Sequence, residues 1–191
     1  MRIRSERSGF SLIELMLVCG VVLTLLAIGV PSMVTVISNA RLSGGITNLS
    51  GVLQNSRMMA IKENKTKTMH FTVMSNGPVA YVKDAADTSD LDKSDVQAQM
   101  GAPLTKYTAP TGLGAPPAIT TAQLSFTAIT SDPSFNSRGL PCDYSIGVCT
   151  NRGFIFYFKD HRPIGVNRWA AVSISPAGRI KRWMWSGTDW N

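Results

Sequence analysis

Gly9-Phe10-Ser11-Leu12-Ile13-Glu14-Leu15-Met16-Leu17-Val18-Cys19-Gly20, running on to Pro31, is the stretch whose reading decides the fold. From Phe10 to Ile37 a single side chain, Glu14, is charged. A bilayer needs about 20 apolar residues of helix, so this segment is long enough to span one. A carboxylate inside such a span costs roughly 3 kcal/mol and marks function by default. Arg2, Arg4 and Arg7 precede the run. Arginines on that side hold it in the cytoplasm and send the rest of the chain outward.

Glu14 has a physical rationale if the chain is cut after Gly9. Phe10 would then carry a new α-amino group, protonated at neutral pH. Phe10 and Glu14 are four residues apart and share a helix face, so acid and amine can neutralise each other within one chain or between adjacent chains. The alternative is an ordinary signal anchor carrying a lone acid.

Gly9-Phe10-Ser11-Leu12-Ile13-Glu14 resembles the class III signal of type IV prepilins and type II secretion pseudopilins. The match comprises a short basic leader, glycine at the cut, phenylalanine after it and glutamate as the fifth mature residue. Pro31 sits where many members of that family carry a helix-bending proline. The resemblance implies cleavage after Gly9 by a prepilin peptidase, N-methylation of Phe10, and assembly into a helical filament with Glu14 facing a neighbour's amine. It covers about thirty residues, and the remainder has to be read on its own.

At 191 residues the chain fits one domain plus an anchor. Removing the leader takes away three arginines and Glu6, so the formal charge falls from +7 to +5. That mild positive balance is compatible with anionic partners without requiring them. Hydrophobic residues make up 44%, and the anchor supplies many of them, which leaves the head a modest core. Of the three cysteines, Cys19 lies in the apolar helix as a small hydrophobe. Cys142 and Cys149 fall in a Gly/Pro-containing loop, where an exported domain favours a disulfide. Zinc is not expected: two further ligands are missing nearby, and His70 and His161 do not complete a set.

Beyond Pro31, Ile46, Leu49, Val52 and Leu53 recur at helical spacing, and Met59, Ala60 and Ile61 carry the pattern toward Lys62. One helix from Phe10 to Lys62 would measure about 80 Å. Gly44-Gly45 is a place where it could loosen. The period then changes to two. Residues 68–74 and 79–83 flank Asn76-Gly77, which predicts a hairpin. Residues 84–120 carry little core pattern and read as an irregular excursion, with a short strand expected near Leu104–Thr108. Asp84, Asp87, Asp90, Asp92 and Asp95 crowd its start, but without the glycine turn and terminal glutamate of a calcium loop. Further strands are predicted at 123–130, 153–159, 170–175 and 179–185.

The head also resembles a known group. Phe135-Asn136-Ser137-Arg138-Gly139, then Ser173 through Arg179, together with Arg57 and Ala60, is similar to the FimT/FimU-type minor pilins and the H-type pseudopilin of type II secretion. The 84–120 excursion does not match that group.

Enzyme activity is not expected, and no cofactor or metal. There is no nucleophile elbow, P-loop or dinucleotide fingerprint, and Asp160-His161 at a strand end is not a catalytic pair. The C-terminal end is the sharper candidate. As a strand, 179–185 puts Arg179, Lys181, Trp183 and Trp185 on one face and Ile180, Arg182 and Met184 on the other. Cations beside aromatic rings suit nucleic acid, with charges on phosphate and rings on bases. Arg162, Arg168 and Trp169 would extend that patch. Some FimT-type pilins bind DNA through a C-terminal Gly-Arg-x-Arg motif, and Gly178-Arg179-Ile180-Lys181 resembles it with lysine in the last place. In the other reading the tryptophans simply cover the sheet and the cations fringe it.

The expected fold is α+β and type IV pilin-like: a long N-terminal α-helix, transmembrane in its first half, packed on an antiparallel β-rich head. Residues 1–9 form a cleaved leader, 10–37 the membrane and filament-core helix, 38–65 its amphipathic continuation, and 66–191 a periplasmic head. The expected function is that of a minor pilin or pseudopilin that initiates or tips a type IV pilus or a type II secretion pseudopilus in the bacterial inner membrane. Its partners would be other subunits, the prepilin peptidase and methyltransferase, the assembly platform and membrane lipid. DNA binding during natural transformation is the alternative.

Overall fold

The computed structural model describes residues 11–74, 77–87, 89, 91–92, 95–100, 104–107, 112–113, 116, 128–129, 131–145, 147–160 and 168–191. It has one long helix and antiparallel sheets, hence an α+β fold. The chain divides into two compact units, Met1–Ile37 and Ser38–Asn191.

The first unit consists of the N-terminal part of α1 (Leu12–Glu63). None of its described residues is buried; Leu12, Ile13, Leu23, Leu25 and Ile28 are all at least 66% exposed. This part of α1 is long and apolar enough to cross a membrane. Both of its threonine hydroxyls are satisfied by its own backbone: Thr24 Oγ1 donates to the Val21 carbonyl at 2.8 Å and Thr35 Oγ1 to the Pro31 carbonyl at 3.1 Å. That is how a hydroxyl is tolerated where no water reaches. The helix runs through Pro31, whose missing N–H leaves the Ala27 carbonyl without its usual donor.

In the second unit α1 becomes one-sided. Ser38, Leu42, Gly45, Ile46, Leu49, Val52, Leu53, Ser56 and Ala60 are buried at spacings of one to four, as one helix face requires. The helix is continuous through Gly44-Gly45, and Gly45 belongs to the buried face. It ends at Asn64, which takes a left-handed φ of 53°. Lys65 N–H donates to the Ala60 carbonyl and Asn64 N–H to the Ile61 carbonyl, a Schellman close that uses orphan carbonyls of the last turn.

Two sheets follow. The first has six strands in the order β3-β2-β1-β6-β7-β8: β1 (Lys67–Met74), β2 (Gly77–Asp84), β3 (Val96–Gln99), β6 (Ser134–Phe135), β7 (Pro141–Ser145) and β8 (Val148–Asn151). The second runs β11-β10-β9-β4, from β4 (Leu104–Tyr107), β9 (Gly153–Asp160), β10 (Arg168–Ile174) and β11 (Ile180–Met184), with β5 (Ala128–Ile129) pairing β9 in parallel. The expected hairpin is β1–β2, with Met74 opposite Gly77. Phe71, Phe135, Phe154, Phe156 and Phe158 meet Leu42, Ile46, Leu49 and Leu53 of α1 in one core.

Four strands lie outside those expected. β3 falls inside the supposedly patternless 84–120 stretch, because Val96 and Ala98 alone supply its alternation. β6 is two residues long, too short for any period to show. β7 and β8 turn the cysteine loop into a hairpin closed by the Cys142–Cys149 disulfide, with Tyr144 opposite Cys149. Of the strand predicted at 123–130, Ala128–Ile129 is present as β5, and 123–127 lies outside the described residues.

Candidate functional site

Gly9 and Phe10, where processing is expected, lie outside the described residues. Glu14 is within them, exposed in the first turn of α1, and its N–H donates to the Ser11 carbonyl at 3.1 Å. Cys19 is exposed and free.

At the other end of the chain, strand alternation sorts the basic and aromatic residues. β11 pairs antiparallel with β10, Trp183 opposite Ala171 and Arg182 opposite Val172. Ile180 and Met184 turn to the main core, and Arg182 shares their side of the strand. Its guanidinium donates to Thr47 Oγ1 on α1 at 2.9 Å. On the opposite face, all four tryptophans of the chain gather: Trp183 and Trp190 buried, Trp169 and Trp185 half-buried, around Ile155, Tyr157 and Ala171. Trp183 Nε1–H donates to Ser173 Oγ at 2.9 Å. Residues after Trp185 fold back as a tight hairpin, so that Trp190 lies 5.3 Å from Trp185 and 6.0 Å from Tyr157, ring to ring. Burial there pushes the Tyr157 phenol upward.

This layer explains why β9 is apolar on both sides: Phe154, Phe156 and Phe158 face the core, Ile155 and Tyr157 the tryptophans. It also separates the expected nucleic-acid residues. Lys181 lies with its ammonium 3.7 Å from the Trp183 ring centre, and Lys159 is 5.6 Å from that of Trp169. Arg179 and Arg168 are exposed. Arg182 is on the other side of the strand, and Trp183 is only 3% exposed, so its ring is committed to packing. Stacking surface is left at Trp185 and Trp169. Arg162 and His161 lie outside the described residues.

The residues that carry the head's resemblance converge on one structural node. Arg57 donates to the Gly178 carbonyl at 3.2 Å. Gly139 and Gly178 have φ of 74° and 81°. A Cβ on Gly139 would come within 2.7 Å of Ile61, and one on Gly178 within 3.3 Å of the Gly139 carbonyl. Both turns therefore require glycine for conformation and for space. Arg57 ties the end of α1 to both of them. These residues build the head, while Arg179 at the end of the same motif stays exposed.

Asp84, Asp87 and Asp95 are partnered by lysines. Lys67, 8% exposed, bridges Glu63 and Asp84, and Lys65 also reaches Asp84 at 3.3 Å. Lys83, 4% exposed, sits 3.4 Å from Asp95 and 3.7 Å from Asp87, and donates to Ser89 Oγ at 2.6 Å. Asp90 lies outside the described residues. These buried ammoniums were legible only as isolated lysines in strands, because their partners come from three different segments. His70 and Asp132 pair at 3.2 Å beside Tyr81.

Comparison with family models, with curated proteins and with solved structures returns no match.

Proposed function

We propose that this chain is a filament subunit of the type IV pilin class, a minor pilin or H-type pseudopilin that initiates or tips a type IV pilus or a type II secretion pseudopilus. The observation that carries the reading is the uncovered apolar surface of α1 from Leu12 to Ile37 with Glu14 as its one charge. Such a surface requires lipid before assembly and neighbouring helices after it. Glu14 would meet the Phe10 amine of an adjacent subunit once the leader is gone. The arginines before the run direct the head to the periplasm.

Glu14→Ala is the test. The variant should reach the inner membrane and be cleaved, yet fail to join filaments recovered by shearing; normal incorporation would sink the mechanism. Gly9→Trp should leave uncleaved precursor in the membrane, and processing at the usual site would contradict the prepilin reading.

A second reading, DNA capture, draws support from the exposed Arg179 and Arg168 and from Lys181 beside them. A gel shift should then show salt-sensitive binding that disappears in Arg179→Ala/Lys181→Ala. Absence of binding at low salt removes this reading.

A further inference from the structure

Among the described residues, the outer edge of β11 is an unfilled position in a sheet, and it opens onto a groove. In the β10–β11 ladder the hydrogen-bonded pairs are at odd positions of β11: Trp185 N–H donates to the Trp169 carbonyl at 3.0 Å, and Ser175 N–H to the Arg179 carbonyl at 3.0 Å. The N–H and C=O of Ile180, Arg182 and Met184 therefore point away from β10. Met184 confirms the parity, because its N–H and C=O are both taken by the backbone of Asn191, at 2.8 and 3.0 Å. The fold-back of 185–191 thus fills one step of the edge with antiparallel strand and leaves the steps at Arg182 and Ile180 open. β11 ends the sheet order, so among the described residues no further strand covers them.

Beside those open groups lie two cavities, of about 320 and 260 Å³. Their floor is the small-residue face of α1, Ser43, Thr47, Ser50 and Gly51, and Arg182 lies between them, reaching Thr47. A Cβ at Gly51 would meet nothing within 4 Å, so the floor is open. An added strand places alternate side chains over that floor, one of them beside the Arg182 guanidinium.

We propose that the β11 edge takes up an extended peptide segment of a partner protein by antiparallel strand addition, with an acidic side chain of that peptide paired to Arg182. Main-chain bonds at Ile180 and Arg182 supply affinity, and the groove over Thr47 and Gly51 with its one cation supplies selection. The inference is independent of whether the chain belongs to a pilus or a secretion filament.

The probe is a fluorescein-labelled peptide of about eight residues, alternating valine and threonine with one central glutamate, titrated into the full chain in detergent micelles. Saturable binding is expected, with slowed exchange of the Ile180 and Arg182 amides and no change at Lys181 or Trp183. Arg182→Pro removes the outward donor without touching the β10 ladder; it should abolish binding while the near-ultraviolet signal of the tryptophan layer stays unchanged. Should that variant unfold, Arg182→Glu serves instead. It should weaken the glutamate peptide by about tenfold or more and recover binding to a peptide with lysine in the centre. Equal binding by a peptide with proline at alternate positions would overturn the proposal, as would unchanged affinity in the folded Arg182→Pro. Protection of the same amides that rises with protein concentration without any peptide would assign the edge to a second copy of this chain and overturn it too.

Discussion

The two parts of α1 are equally helical, yet the first, about twice as rich in apolar residues, buries nothing, and the second buries a full face. In Leu12–Ile37 the apolar residues occupy every direction around the axis, so no polar side remains for water. From Ser38 onward most of them fall on one stripe that includes Leu42, Ile46, Leu49 and Leu53, with Thr47, Asn48, Gln54 and Asn55 outside it and Met58 and Ile61 exposed. The number of apolar residues and their distribution around the axis together decide whether a helix lays one face on its own chain or stays apolar all round. The first part is long and apolar enough to cross a membrane; the second is a core element of the head.

The largest expected effect tests this contrast directly. Leu49→Ala, at a position with 0% exposure, should destabilise the head by about 2–5 kcal/mol. Leu23→Ala, at 67% exposure, should shift it by less than about 0.5 kcal/mol. Urea unfolding of the full chain in detergent, followed by tryptophan fluorescence, reads both, since every tryptophan is in the head. Equal shifts would break the comparison. A somewhat smaller loss is expected from Cys142→Ser/Cys149→Ser. Opening a loop of that size removes about 2–3 kcal/mol by its effect on the unfolded chain. The midpoint should fall without loss of the helix signal, and an unchanged midpoint would show that β7–β8 does not unfold with the head.

What could be read in the sequence follows the same division. The N-terminal segment, the Ile46–Leu53 stripe, the β1–β2 hairpin and the long strands β9 to β11 all show a period over enough residues to be counted. β3, β6 and the arms of the cysteine hairpin do not, because their burial comes from sheet neighbours far away in sequence. The tryptophan layer was half visible: alternation put Lys181, Trp183 and Trp185 on one side, but only the fold-back at 185–190 shows that the rings are sealed against each other. Arg57, Gly139 and Gly178 stood out as motif residues, while the node they form depends on contacts across 121 residues of chain. The open edge of β11 could not be seen at all, since it depends on strand order.

The helix face toward the head also contains polar residues that hydrophobic counting skips, and they give a finer test. Ser50 Oγ donates to the Ile46 carbonyl at 3.0 Å, whereas the fully buried Ser56 Oγ has no hydrogen-bond partner among the described residues. Replacing an unpaired buried hydroxyl relieves its desolvation, so Ser56→Ala should stabilise the head by about 1 kcal/mol. Ser50→Ala should be near neutral. In the first part of α1, Thr24→Val should leave head stability unchanged. Destabilisation by Ser56→Ala would mean that the hydroxyl is satisfied and that the stripe is more selective than its apolar members indicate.

The smallest effect concerns the charges at the ends of the two parts. Glu14 has no ion-pair partner among the described residues, while Glu63 and Asp84 clasp Lys67. The Lys67 ammonium, hydrogen-bonded to it, holds the Asp84 carboxyl below its ordinary 3.8; burial opposes this and Lys65 reinforces it. Burial pulls Lys67 down, but its hydrogen bonds to Asp84 and Glu63 outweigh that, and the net shift is upward from 10.5. A depressed acid stabilises the fold above its unfolded value and loses the effect as pH falls through the lower folded value. A raised lysine stabilises below 10.5 and loses the effect as pH climbs through the higher folded value. The clasp is therefore complete between the two ordinary values and fails beyond either. Asp84 is 37% exposed, and solvent screening keeps its share under about 1 kcal/mol. Asp84→Asn should accordingly flatten the acid limb of the stability profile between about pH 5 and pH 3 relative to wild type, by less than either leucine or cysteine change. Parallel acid limbs in the two proteins would show that Lys67 is held by Glu63 and packing alone.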